Sequence, residues 1–431
     1  MAKRTAEPIP GPRNGVFGRH LDDYESHPAE FLKDCRRKYG DVFRFDTDVV
    51  VISDPAEITK VLVHTNRDCV PNANPLHGGR FPTPEQTAQW MRTRQAALPV
   101  LRSAALPGLL PLVSAALAGE LRALEGGWFD PAERAWRVCV NTMLPLYFPD
   151  PPPGLADALL TAFTEGRKAG EAAIRIPSWW PSRLRRRVQR ADQSIRDTIA
   201  PLLTEERPAS QGEPVTLLDH LLTRDEPVPA DVAQAALGIT VLGAIGTMGG
   251  AWSWLLYHLA ARPDLFDRIR AEVAAAPAEE VAARPDRALP FTQAFVNEVL
   301  RFHPPAWLLG RDAVTDVTLG RWTVPRGTAI MFSPYLLHHD ERHWKEPERF
   351  DPGRWLRGDP PHAPGAYQPF AAGPRGCLGT HLGTAILLLT AAHLATDHDL
   401  DAPGLDRVRP LFGPTLIPEG MSCRLTARHH R

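Results

Sequence analysis

The sequence predicts a mainly α-helical protein with a small strand-rich part, folded as a single compact domain. Three observations carry this. Alternation of period two is confined to Asp41–Asp54 and a few short later pieces. Helical periodicity, punctuated by prolines, fills most of the rest. One long proline-free stretch, Asp231–Ala261, is apolar nearly all round, which marks a helix lying in the middle of a protein.

Taken in order, residues 1–15 are polar and proline-rich and are expected to be flexible, with no apolar core for a signal or a membrane span. DVFRFDTDVVVISD (Asp41–Asp54) reads as two strands joined at Thr47-Asp48. Pro55–Thr65 reads as a helix, since proline in the first turn gives up no hydrogen bond. Asn72–Pro84 reads as a long loop, and Pro84–Leu101 resumes helix. Helical patterns recur from Leu109 to Leu203, broken at Pro149–Pro153 and Ile176–Pro181. After the apolar helix come helices over Pro263–Ala274 and Thr292–Phe302, then strand-like pieces at Val317–Val324 and Ala329–Phe332. An irregular meander (His338–Arg357) and a last helix, Leu378 to about Thr396, complete the chain. No compositional shift marks a domain boundary.

Charge excludes one class of partner. With 49 Lys and Arg against 50 Asp and Glu, and no long basic block, the chain is not built to bind nucleic acid. Five scattered cysteines (Cys35, Cys69, Cys139, Cys377, Cys423) include no Cys-x-x-Cys pair. That argues against a disulfide framework or structural zinc and fits a reducing cytosol. The longest unbroken greasy run, Ala385–Leu389, is too short for a bilayer, so a soluble, cytoplasmic protein without a transmembrane anchor is expected. The histidines of LLHHDERHW (His338, His339, His343) are not expected to form a metal cluster, because adjacent histidines cannot both face one ion on a regular element. The basic-aromatic stretch Ile176–Arg190 reads as a solvated helix face or a lid.

The run FAAGPRGCLG carries the chemistry: Phe370, Gly373, Arg375, Cys377 and Gly379 precede the last helix. Each has a physical role if Cys377 ligates haem iron. A thiolate is a strong electron donor, and backbone amides with the positive end of the following helix keep it deprotonated. Glycines let the backbone turn tightly near a macrocycle. Phe370 can shield the sulfur, and Arg375 can pair with a haem propionate. The plain alternative is a free cysteine in a glycine-rich turn.

This run is similar to the haem-binding signature of the cytochrome P-450 family, and the resemblance extends over nearly the whole chain. Glu298-Val299-Leu300-Arg301 resembles the family's Glu-x-x-Arg helix, and Pro347-Glu348-Arg349-Phe350 its Pro-x-Arg-Phe element. The resemblance implies a buried triad of Glu298, Arg301 and Arg349 beneath the cysteine loop. Trp90 and Arg94 resemble the family's Trp-x-x-x-Arg pair, and Arg311 its later arginine, all implied to reach haem propionates. It further implies a fold around a buried haem b, with Cys377 as axial ligand, and a monooxygenase acting on a small organic molecule such as a natural-product intermediate. No flavin or nicotinamide fingerprint is present, so a separate electron donor is expected, such as a ferredoxin with its reductase, docking near Arg92, Arg102, Lys345 and Arg354. Parts of Val70–Arg80, Ala244–Thr247, Pro305–Leu308 and Thr415–Leu416 are expected to line the pocket.

The chain departs from the family on the long apolar helix. Where small-Gly-x-acid-Thr-Thr/Ser is usual, it reads Gly243-Ala244-Ile245-Gly246-Thr247-Met248. The catalytic candidates are thus Thr247, Gly246 and Ala244, with glycine in place of the carboxylate that normally helps relay protons. Gly246 is expected to make room for waters or a substrate hydroxyl. Three routes stay open: a relay assisted by water or substrate, peroxide as the oxidant in a peroxide-dependent oxidase, or an isomerase-like reaction without dioxygen activation. Thr247 has its own plain alternative, a hydroxyl bonded back to its turn. Gly383 and Ile386 stand where the family often has Ala and Glu, and a non-catalytic partner protein is the remaining alternative.

Overall fold

In a computed structural model of the chain, the structure describes residues 8–12, 19–71, 81–171, 182–204, 216–223, 226 and 228–428. Most of the flexible-terminus expectation (1–15), the stretch 72–80 of the predicted loop and pocket, and 176–181 of the basic-aromatic stretch lie outside them.

The helices run in chain order as α1 (Arg19–Ser26), α2 (Pro28–Tyr39), α3 (Pro55–Val63), α4 (Pro84–Leu101), α5 (Leu106–Ala123) and α6 (Pro131–Tyr147). Next come α7 (Leu155–Glu171), α8 (Arg183–Ile199), α9 (Leu217–Leu222), α10 (Ala230–Ala261) and α11 (Pro263–Ala275). The series ends with α12 (Ala278–Ala283), α13 (Pro285–Ala288), α14 (Pro290–Phe302), α15 (Pro334–His338) and α16 (Thr380–Asp397). The strands are β1 (Val42–Asp46), β2 (Val49–Ile52), β3 (Cys69–Pro71), β4 (Trp128–Phe129), β5 (Leu309–Ala313) and β6 (Val317–Leu319). They continue as β7 (Trp322–Val324), β8 (Ala329–Phe332), β9 (His398–Asp401), β10 (Arg409–Phe412), β11 (Leu416–Glu419) and β12 (Cys423–Ala427). The mainly helical expectation holds, as do the bounds of α4 and β8.

Two compact units share the chain and are interleaved along it. Residues 1–84, 300–351 and 357–377 make one; residues 85–299, 352–356 and 378–431 make the other. The first is built on a five-stranded sheet of order β1-β2-β8-β5-β3. The predicted hairpin is there, with Val42 opposite Ile52. β2 then runs parallel to β8, so two segments nearly 300 residues apart in sequence are joined by hydrogen bonds. The Asp54 carboxylate accepts from the Ala56 and Glu57 amides and starts α3 ahead of Pro55. Ile58 and Leu62 of that helix pack with Ile52, Ile330 and Phe332 to form the core.

The second unit is arranged around α10. Trp252, Trp254, Leu255, Leu256 and Leu259 are buried there, because α6, α7, α8, α11, α16 and β11 all pack on this helix. Coverage on so many sides is why its sequence shows no polar face. Among the described residues α10 is the single unbroken helix long and apolar enough to cross a membrane, and more than half of its most apolar window is buried within the protein. The sheet β4-β12-β9 and the hairpin β10-β11 also belong to this unit. Neither was legible in the sequence. β10 sets Pro410 opposite Pro418, a pairing confined to a two-stranded ribbon whose outer edges need no amide donor.

Candidate functional site

Cys377 differs from the other four cysteines in being exposed. Burial pushes the thiols of Cys35 and Cys69 up to about 11 and raises those of Cys139 and Cys423 as well, so none of these ionises readily. Cys377 is therefore the sulfur available to a soft metal ion. Its loop is closed by its own amide, which donates to the Phe370 carbonyl at 2.9 Å, and by Gly376 donating to Gly373 at 3.0 Å. Gly373 is held at φ +70°, and a Cβ there would lie 2.3 Å from the Leu62 carbonyl oxygen, so only glycine lets the loop sit on the end of α3. Gly379 caps α16, which starts three residues after Cys377.

Two of the predicted propionate arginines converge. Arg375 Nε donates to Asn66 Oδ1 at 3.1 Å, and Arg311 Nε donates to Thr65 Oγ1 at 3.0 Å, so neighbouring residues of one turn hold both guanidinium groups. Asn66 adopts φ +74°, a conformation asparagine tolerates better than most residues. Arg311 is buried, donates Nη1 to the Gly310 carbonyl at 2.7 Å, and pairs with no carboxylate among the described residues. Burial lowers its pKa. A buried cation with only neutral acceptors lacks the counter-charge that a cofactor carboxylate would bring. This feature fits haem. Thr65 and Asn66 were missed in the sequence; an asparagine just past a helix end was the available signal.

In the other unit, the Arg94 guanidinium lies 5.5 Å from the centroid of the Trp90 ring, one turn away on α4. Glu298 and Arg301 are fully buried. Glu298 accepts from Arg354 Nε at 3.1 Å and from Trp355 Nε1 at 2.9 Å. Arg301 donates to the carbonyls of His338, Pro347 and Arg349 at 2.9, 2.8 and 3.2 Å. The predicted triad is thus corrected at its third member. Arg349 contributes its carbonyl, while its side chain is 65% exposed and faces Glu346 at 3.7 Å. Arg354, five residues on in the 3-10 turn Pro352–Leu356, is the buried partner. Arg354 is accordingly withdrawn from the expected docking patch; Arg92, Arg102 and Lys345 are exposed.

His338 also proves structural. The Gln368 amide donates to its Nε2 at 2.9 Å, so Nδ1 carries the proton and donates to the Arg301 carbonyl at 3.0 Å. Burial first, and the Arg301 charge second, hold its pKa well below the usual histidine value. No cluster able to hold a metal ion occurs among the described His, Cys, Asp and Glu side chains.

On α10, Ile239, Gly243 and Thr247 form an exposed stripe at four-residue spacing on an otherwise covered helix. Thr247 donates to the Ala244 carbonyl at 3.3 Å, the back-bond weighed above. Gly246 is buried and faces elsewhere. A Cβ there would meet Phe163 Cζ at 3.0 Å, Phe163 Cε2 at 3.2 Å and Thr415 Cγ2 at 3.3 Å. The expectation that Gly246 opens room for water is therefore overturned: a ring and a methyl fill that space. Three residues on, a Cβ at Gly249 would lie 2.9 Å from Trp136 Cδ1. Trp136 and Phe163 meet edge to face at 5.1 Å and 72°. Sequence reasoning missed both rings, which lie 27 residues apart on separate helices. The departures Met248 and Gly383 adjoin too: a Cβ at Gly383 would be in ordinary contact, 3.6 Å from Met248 Sδ, so glycine is not forced there.

The fold is that of a cytochrome P-450 haem domain. A crystal structure described as the cytochrome P-450DA heme domain matches with a TM-score of 0.80 over 99% of this chain and 98% of that one, at 19% identity. The sequence profile of the cytochrome P-450 family matches residues 8–418. The chain belongs to this family, and its cofactor is haem b. It is 28% identical over 322 residues to a cyclooctat-9-en-7-ol 5-monooxygenase of Streptomyces melanosporofaciens, covering 70% of this chain and 68% of that enzyme. It is 30% identical over 229 residues to the human mitochondrial 25-hydroxyvitamin D-1 alpha hydroxylase, covering 52% of this chain. That alignment spans 45%, under half, of the human enzyme's length.

Proposed function

We propose that this protein is a haem-thiolate monooxygenase that oxidises a small organic molecule, a biosynthetic intermediate of natural-product type, with electrons from a separate ferredoxin and its reductase. The observation that carries the reading is the one exposed cysteine, closed into a glycine-rich loop in the same unit as two arginines gathered on Thr65-Asn66. Cys377 would hold the haem iron through its sulfur, and Arg311 and Arg375 would hold its propionates. Bound in this way, the haem supplies dioxygen activation. The natural-product assignment is supported by the similarity to the Streptomyces enzyme, whose name describes oxidation of a ring alcohol. Four buried, unpaired cysteines support a reducing compartment such as the cytoplasm.

The chain's own part in proton handling centres on Thr247. Its hydroxyl now donates to the Ala244 carbonyl, and rotation about χ1 would free it to order a water or a substrate hydroxyl on the exposed Gly243–Thr247 face. No carboxylate stands at position 246 to help. That same absence favours a second reading, in which peroxide, already carrying its protons, is the oxidant.

The reduced carbon monoxide complex tests the ligand. Wild-type protein should show thiolate-type absorption and Cys377→Ser should lose it; unchanged absorption in that variant overturns the assignment. Turnover with a ferredoxin system but not with hydrogen peroxide supports the first reading, and the reverse supports the second.

A further inference from the structure

We infer that Phe163 occupies the place of the missing carboxylate, and that an aromatic lock between α6, α7 and α10 is what bars an acid from position 246. The inference rests on Thr247 being the proton-handling residue and deepens that reading. Gly246 and Gly249, one turn apart on α10, present bare backbone to Phe163 and Trp136. The rings pack edge to face, and the Arg167 guanidinium lies 5.1 Å from the Trp136 ring centroid. An aspartate at 246 would set its Cβ 3.0 Å from Phe163 Cζ, and its carboxylate among that ring and the Thr415 methyl. A buried charge is disfavoured where its immediate neighbours are apolar, and the nearest groups here are a ring and a methyl. Nor can Phe163 swing aside freely, because Trp136 backs it and is itself pressed on Gly249. Gly243, by contrast, has open space where a Cβ would stand, on the face that carries Thr247. A side chain at 246 is thereby closed as a route for protons to Thr247. Phe163 is a positioning residue: it acts through what it denies to the helix.

The test combines unfolding with peroxide-driven oxidation of guaiacol, using haem-loaded protein; peroxide brings its own protons, but one must still move from one of its oxygens to the other, and a carboxylate can shuttle it. Gly246→Asp alone should lower Tm by a few degrees and gain no activity. Combined with Phe163→Ala it should cost less than the two single losses together, and guaiacol oxidation should exceed that of Phe163→Ala with Gly246→Asn by about a hundredfold, the low end of general acid–base effects. The asparagine variant has the same shape without the carboxylate, so a packing effect alone moves both equally. A Gly246→Asp protein with wild-type Tm overturns the lock, and equal rates for the Asp and Asn double variants overturn the link to proton handling. If wild-type protein lacks thiolate-type carbon monoxide absorption, the enzymatic reading fails instead, while the Tm cycle, which needs no turnover, still decides the packing claim.

Discussion

At the residue scale, Glu298 shows how two neighbouring arginines come to differ in weight. Both of its carboxylate oxygens are closed, one by Arg354 and the other by the Trp355 indole, at a fully buried position. Arg354→Ala removes the buried cation that Glu298 Oε1 accepts from and is expected to cost roughly 3–5 kcal/mol. Arg349→Ala removes an exposed pair worth up to about 1 kcal/mol, and the carbonyl that Arg301 uses remains. Urea unfolding midpoints of the two variants should separate clearly; equal shifts would restore Arg349 to the triad. The cysteine loop was legible because five fixed positions cluster within ten residues. The triad's third member was not, since Arg349 and Arg354 both lie in the meander and only burial tells them apart.

At the element scale, α10 gives opposite answers at two of its glycines. Alanine is favoured over glycine in a helix interior by about 1 kcal/mol. At Gly249, however, the added methyl would press on Trp136 at 2.9 Å and Ala135 at 3.3 Å, an overpacking cost of roughly 1–3 kcal/mol. Gly243 meets nothing within 4 Å. In haem-free protein, Gly249→Ala should therefore lower Tm and Gly243→Ala should raise it; a common sign in thermal melts would contradict the packing described. Hydropathy revealed the helix and its central position, because uniform burial leaves a uniform signal. It could not reveal which glycines receive rings, because that depends on α6 and α7 arriving from elsewhere in the chain. Strands β9 to β12 were missed for a related reason: HDLD and RPLF carry neither clean alternation nor β-branched residues and become strands only by pairing.

At the scale of the whole molecule, one buried and one half-buried histidine set an acid sensitivity. Burial, the largest cause in each, lowers the pKa of His338 and of His393, the latter bonded to Ser114 at 2.9 Å. A histidine whose folded pKa is depressed binds more protons when unfolded, so stability is complete above the ordinary value of 6.5 and declines as pH falls below it. Asp340 and Glu348, whose folded pKa values are lowered in turn, extend the decline into the carboxylate range. Tm should be level between about pH 7 and 8 and fall toward pH 5, with a shallower slope in His393→Asn. A flat profile across that window would mean that these rings gain protons in the folded state without penalty.

The interleaving of the two units bears on descent and recombination. Each unit is drawn from three separate stretches of chain, so any single crossover with a relative leaves at least one of them with two parents. The parallel pairing of β2 with β8 carries this into the backbone, for a junction anywhere between Ile52 and Ala329 joins strands of different ancestry in one sheet. Viable hybrids must therefore keep residues from distant parts of the gene together, and a homologue's loops are easier to borrow than either of its halves.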